Sequence, residues 1–198
     1  MFSKLSSMVR RITSLKSFLI LLVLYMVVFT TFFYADVPFG LNKMRQYAGA
    51  VNILDLKFFY TAPQAYETLD LLGEQGRGIY LSILAADMIY PTVLGLFLAV
   101  TITFIFQHTL SPASRLYMLN GLPIANTLFD YCENIMTLIL LKNYPSHLDA
   151  AATVNGFFTL AKNLFGFLSF SVLLISLLIL IYQKFVLRMN STQRFIKE

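Results

Sequence analysis

The sequence predicts an all-α integral membrane protein: a bundle of four transmembrane helices with a short amphipathic helix in the first external loop. Three observations lead to this class. Of the 198 residues, 58% are hydrophobic and only 13% are charged, about half the charged share of an ordinary soluble domain. Four stretches approach or exceed the ~20 mostly apolar residues that a helical span requires. Basic residues gather beside those stretches: Lys4, Arg10, Arg11 and Lys16 before the first, and Lys184, Arg188, Arg194 and Lys197 after the last. That placement makes the net charge of +5 a membrane-flanking feature, and nucleic acid is not an expected partner. Cys132 is the only cysteine, so neither an intrachain disulfide nor a CxxC redox site is available.

The first span is expected at residues 17–34 and contains no charge. It is longer than the ~7–15-residue apolar core of a signal peptide. Bulky Phe33 and Tyr34 stand where a cleavage site needs small residues, so the segment reads as an uncleaved anchor. The loop at 35–77 is too long for a connector. Within it, Thr61-Ala62-Pro63-Gln64 has the form of a capping box with proline in the first turn. Ala65, Leu69 and Leu72 follow at helical spacing and Gly73 supplies the C-cap, while Glu67, Asp70 and Glu74 occupy the wet face.

The second span is expected at 78–106 and the third at 116–141, joined by a short Ser111-Pro112 loop that predicts an antiparallel hairpin. The fourth, at 153–182, is long enough to tilt or protrude. Outside the spans, the side carrying both termini holds nine Lys and Arg against five on the other side. The positive-inside rule therefore predicts a multi-pass protein of the cell membrane with both termini cytoplasmic. The sequon Asn190-Ser191-Thr192 then faces the cytoplasm and stays unmodified.

Charged side chains at a helix centre cost about 2.5–3.5 kcal/mol each on insertion, yet Asp87, Asp130, Glu133 and Lys162 all fall inside the expected spans. Their spacing turns them inward. Asn126, Asp130, Glu133, Asn134 and Thr137 form one helical stripe, as do Asn155, Thr159, Lys162 and Asn163. Tyr80, Asp87 and Pro91 share a face, with Arg77 near the external end. At ~1.5 Å per residue, Asp87, Asp130 and Lys162 reach a common depth of ~15 Å, which predicts that Lys162 pairs with both aspartates. Glu133 sits one turn nearer the outside, level with Thr159; three carboxylates then face one lysine, and an excess carboxylate must be protonated, paired with Arg77 or bound to something from outside.

Asp87, Asp130 and Glu133 are therefore the candidate proton-moving, catalytic groups, because crowded buried carboxylates are suited to proton transfer. Arg77, Tyr80, Asn126, Asn134, Asn155, Thr159, Lys162 and Asn163 are the candidate ligand-binding residues. A metal is not expected: His108 and His147 lie in or beside loops on opposite faces, and Lys162 competes for the carboxylates. No Ser-His-Asp set assembles at one depth, and Gly73-Glu74-Gln75-Gly76 is a turn, not a phosphate loop. No cofactor is expected.

Three functional readings follow. The buried charges lock the bundle of a structural or assembly protein. Alternatively, they line a pocket that binds or converts a small amphipathic, lipid-like ligand by carboxylate proton transfer. In the third, they serve proton- or ion-coupled transport. The partners these imply are the lipid bilayer, a lipid-like small molecule, and a second copy or another membrane protein.

Overall fold

The computed structural model describes the backbone of residues 2–50 and 52–195 and the side chains of residues 3–50 and 52–185. Arg188, Arg194, Lys197 and the Asn190-Ser191-Thr192 sequon lie outside the described side chains. Helix accounts for 83% of the chain, and no strand occurs among the described residues.

The chain opens with α1 (Phe2–Ile12), which sequence reading passed over as a basic flank. Its Ser6 hydroxyl donates to the Tyr117 carbonyl at 3.0 Å, and the Arg10 guanidinium lies 3.9 Å over the Tyr117 ring. A Ser14–Ser17 capping box then starts α2 (Leu15–Phe33). Next come α3 (Leu41–Ala48), ended by Gly49 at φ +72°, and a 3-10 turn at Leu54–Leu56. The Thr61–Gln64 capping box starts α4 (Ala62–Ala86), with the Thr61 N–H donating to Gln64 Oε1 at 2.9 Å. In its first part Ala65, Leu69 and Leu72 are buried while Glu67 and Asp70 are exposed. Gly73 does not end this helix. At φ +61° it breaks the helical geometry, which resumes through Gly76 to Ala86.

The expected second span is not one helix. After α4 the chain turns at Asp87–Ile89 and restarts as α5 (Tyr90–Thr109). Pro91 gives the reason: it has no N–H to offer the Asp87 carbonyl one turn before it. Leu116 and its neighbours, expected to open the third span, form a 3-10 segment at Arg115–Gly121 before α6 (Leu122–Asn143). The last helix, α7 (Asp149–Phe195), starts earlier and runs further than expected.

Side-chain pairings fix the packing. Phe18 meets Phe97 and Phe104, whereas Phe32 and Phe33 meet Tyr90, so α2 runs antiparallel to α5. Thr103 faces Asn120 and Pro91 faces Thr127, so α5 is antiparallel to α6. Asn155 faces Thr137 and Thr159 faces Glu133, so α6 is antiparallel to α7. Three helical stretches are long and apolar enough to cross a membrane: Leu15–Phe33, Ala62–Thr109 (which contains the turn at Asp87–Ile89), and Asp149–Phe185. The third expected span, now α6, is not among them. Its polar stripe, the feature that turned it inward, dilutes its hydropathy.

Residues 52–60 fold back against α7. Asn163 Nδ2 donates to the carbonyls of Lys57 at 3.0 Å and Phe58 at 3.2 Å, and the Tyr60 carbonyl rests on Gly156 so closely that a Cβ there would collide with it. Gly156→Ala should therefore destabilise the detergent-solubilised protein by about 1–3 kcal/mol, the usual cost of overpacking, and speed tryptic cleavage after Lys57. Gly78→Ala, where a Cβ meets nothing within 4 Å, should leave both unchanged or gain slightly. Equal melting points for wild type and Gly156→Ala would contradict the contact.

Candidate functional site

The site is built by the polar stripes of α6 and α7, closed on one flank by the turn at Asp87 and by the 52–60 segment. Lys162 Nζ makes its close ion pair with Glu133 and stands 3.4 Å from Asp130 Oδ1. Glu133 is fully buried; its other oxygen accepts from the Thr159 hydroxyl at 2.5 Å. Asn155 Nδ2 donates to Thr137 Oγ1 at 2.8 Å, and Asn126 Nδ2 to the Lys162 carbonyl at 2.7 Å.

Of the expected pairing of Lys162 with Asp87 and Asp130, the Asp130 contact is present and the Asp87 contact is not, and Glu133 is the principal partner. Counting depth by Cα position missed the direction of the side chains. Side chains lean toward the N-terminus of their own helix. Because α6 and α7 are antiparallel, Lys162 leans up from the level of Asp130 while Glu133 leans down to meet it. Asp87 belongs elsewhere. Asn134 Nδ2 donates to its Oδ2 at 3.1 Å and to its carbonyl at 3.2 Å, the carbonyl that Pro91 leaves without a helical donor.

Arg77 and Tyr80 are also reassigned. Arg77 Nη1 donates to the Leu69 carbonyl at 2.8 Å, across the break at Gly73, and its guanidinium lies 3.9 Å over the Tyr144 ring. It is no counter-charge for Glu133. Tyr80, fully buried, donates to Asp55 Oδ2 and accepts from the Leu54 N–H at 3.1 Å, so it holds the 3-10 turn in place.

Asp55 is the residue that sequence reading missed. The available signal was an acid between Leu54 and Leu56, ahead of Phe58 and Phe59. Tyr60 was missed as well; it is 1% exposed, and burial pushes its phenol up, so it stays neutral.

Beside the ion pair lies a cavity of about 360 Å³. Its polar wall carries Asp55, Asp87, Asp130, Lys162, Asn126 and Asn163. Its apolar wall includes Phe32 and Phe33 of α2, Tyr90 and Leu94 of α5, and Phe167 and Phe170 of α7. Glu133, Asn134, Asn155, Thr159 and Tyr80 do not line it. The candidate residues therefore divide into a buried pairing network and a lined space, with Lys162 and Asp130 shared by both.

Removing Lys162 strands buried carboxylates, so Lys162→Met should cost about 3–5 kcal/mol. Adding Glu133→Gln should recover part of that loss, whereas adding Asp87→Asn should not. Detergent or urea unfolding of the single and double variants checks this, with a coupling of about 1 kcal/mol or more expected only for the first pair. Additivity between Lys162 and Glu133 would exclude the pairing.

No family model, curated protein or solved structure matches this chain, so the reading of its function rests on the geometry of this site.

Proposed function

We propose that this chain is a multi-pass protein of the cell membrane, a four-helix bundle with cytoplasmic termini, whose core is a binding pocket for a small amphipathic molecule. The cavity beside Lys162 is the observation that carries the reading. Its volume falls in the range of small-molecule sites, ~300–1,000 Å³, which are apolar spaces with a few convergent polar groups. Here one wall is carboxylate and amide, and the other is aromatic and aliphatic. Phe167 and Phe170 at its edge are 70% and 52% exposed, on the flank a bilayer would cover.

The apolar share of α6 does not prevent the four-span reading. Its 22 residues are ~33 Å long at 1.5 Å each, matching a hydrocarbon core of ~30 Å. Its polar stripe packs against α5 and α7 rather than lipid.

The structural reading is supported by a different observation: Glu133 is buried completely, paired with Lys162, and absent from the cavity wall. We assign it to holding α6 on α7. Conversion of a ligand by proton transfer then falls to Asp87 and Asp130, which do face the space.

An alkyl probe carrying a diazirine should label the peptide containing Phe167 and Phe170 saturably in lipid nanodiscs. Leu94→Trp, which fills the cavity without touching a carboxylate, should abolish that labelling while the protein stays monodisperse. Labelling that rises linearly with probe, or survives Leu94→Trp, would discard the pocket.

Topology is tested separately. In a Cys132→Ala background, Ser7→Cys should react with an impermeant maleimide only after permeabilisation of right-side-out vesicles. Gln75→Cys should react without it. Both positions are exposed. The reverse pattern would invert the orientation.

A further inference from the structure

We propose that the ligand is a cationic amphiphile, an alkylammonium whose N–H groups face Asp55 and Asp87 and whose chain lies along the phenylalanines. The inference rests on the pocket reading above and adds the sign and donor character of the head group.

Three carboxylates line the cavity, from Asp55, Asp87 and Asp130, against one ammonium, from Lys162. That ammonium is already engaged by Glu133, with Asp130 at 3.4 Å as its second partner. Among the described residues no basic side chain pairs with Asp55 or Asp87. The imbalance is local, and a bound anion would enlarge it.

Hydrogen bonding gives a second, independent indication. Asp55 Oδ2 accepts from Tyr80, but its Oδ1 is buried without a partner. Asp87 is 8% exposed; Asn134 serves its Oδ2, and among the described residues nothing donates to its Oδ1. Native proteins satisfy the large majority of buried acceptors. Both residues line one cavity, and Asp87 Oδ1, which is not sealed off as Asp55 Oδ1 is, can meet a donor that enters from outside. A charged N–H donor satisfies both the charge and the open acceptor, because charge-assisted bonds to carboxylate are the strong ones.

The apolar wall fits the same ligand. Phe32 stacks on Tyr90 with ring centroids 5.5 Å apart, and Phe33 meets Tyr90 edge-on at 5.3 Å. Phe167 and Phe170 continue the apolar surface outward along α7. An anionic head finds no equivalent set: the wall's one basic group is committed, and Asn126 and Asn163 already donate to the carbonyls of Lys162, Lys57 and Phe58, while a neutral hydroxyl could fill an open acceptor but would leave the charge unbalanced.

The test compares three photoreactive probes of equal chain length, differing only in an amine, an alcohol or a carboxylate head. Each is titrated against the full chain in phosphatidylcholine nanodiscs at neutral pH. The amine should half-saturate labelling of the Phe167–Phe170 peptide at a concentration at least ten-fold below the other two. Unlabelled octylamine, but not octanol or octanoate, should compete. Asp55→Asn and Asp87→Asn should each raise the amine's half-saturation ten-fold without affecting the alcohol. The wild-type competition decides the matter even if a variant fails to fold. Alcohol or carboxylate labelling at an equal or lower concentration would overturn the head-group assignment while keeping the pocket. Absence of saturable labelling by any probe would remove the pocket and this inference together.

Discussion

An ammonium on a long apolar helix is the constraint from which the rest follows. Lys162 lies on the Asp149–Phe185 stretch, which is long and apolar enough to cross a membrane. In such surroundings it needs a counter-charge from a neighbour, because an isolated buried ion costs several kcal/mol. The partner has to come from α6, the helix packed along α7, and it must arrive at the right height. Antiparallel packing provides that height through the opposed lean of the two side chains. Providing Glu133, Asp130 and their amides lowers the apolar character of α6, which is not among the three stretches apolar enough to cross a membrane. Only 6% of the apolar window of α2 and 11% of that of α7 is buried inside the protein, against 56% for the stretch containing α5. The polar faces therefore collect at the centre and the most apolar helices stand outside.

Breaks in the backbone then shape the space beside that pair. Pro91 removes one helical hydrogen bond, and the chain turns at Asp87 instead of passing it by. Asn134 takes the freed carbonyl and, with the same amide, one oxygen of the carboxylate. A helix interrupted in this way is acceptable at membrane depth because protein side chains, not lipid, satisfy the exposed groups. Gly156 does the corresponding work on α7. Without a side chain it admits the carbonyl of Tyr60, and the 52–60 segment comes down to the level of Asn163. Tyr80 pins that segment from the other side through Asp55 and Leu54. The cavity is what remains between the turn, the folded-back segment and the aromatic residues of α2 and α7.

The helical class and the inward stripes were legible because helical periodicity is a local property. Asn126 to Thr137 and Asn155 to Asn163 declare their faces in the sequence itself, and the Thr61–Gln64 capping box declares its helix start. Partner choice was not legible by the same means. Counting residues along an axis locates Cα atoms, whereas a lysine acts several ångströms from its own, so the count pairs Lys162 with Asp87 and misses Glu133. Pro91 did carry the signal for the turn at Asp87, but it was read as a residue on a face rather than as a missing donor. Arg77 looked like a spare cation because the break at Gly73, which brings it back to Leu69, depends on a single backbone dihedral. Asp55 lay outside any periodic segment. Its place depends on Tyr80 and Gly156, contacts far away in sequence that no local pattern encodes.

The lock and the cavity are not independent. Were Glu133 absent, Lys162 would be left to the cavity acids alone. Because Glu133 takes the close contact with an ammonium that also stands 3.4 Å from Asp130, the cavity acids stay in excess. Thr159 strengthens this by occupying the second oxygen of Glu133, so that the carboxylate has one orientation and its pairing with Lys162 one geometry. The charge that a ligand would meet is thus set by a residue the ligand never touches. The structural and pocket readings describe two consequences of one pairing, because the bond that fixes α6 on α7 also gives the neighbouring space its sign.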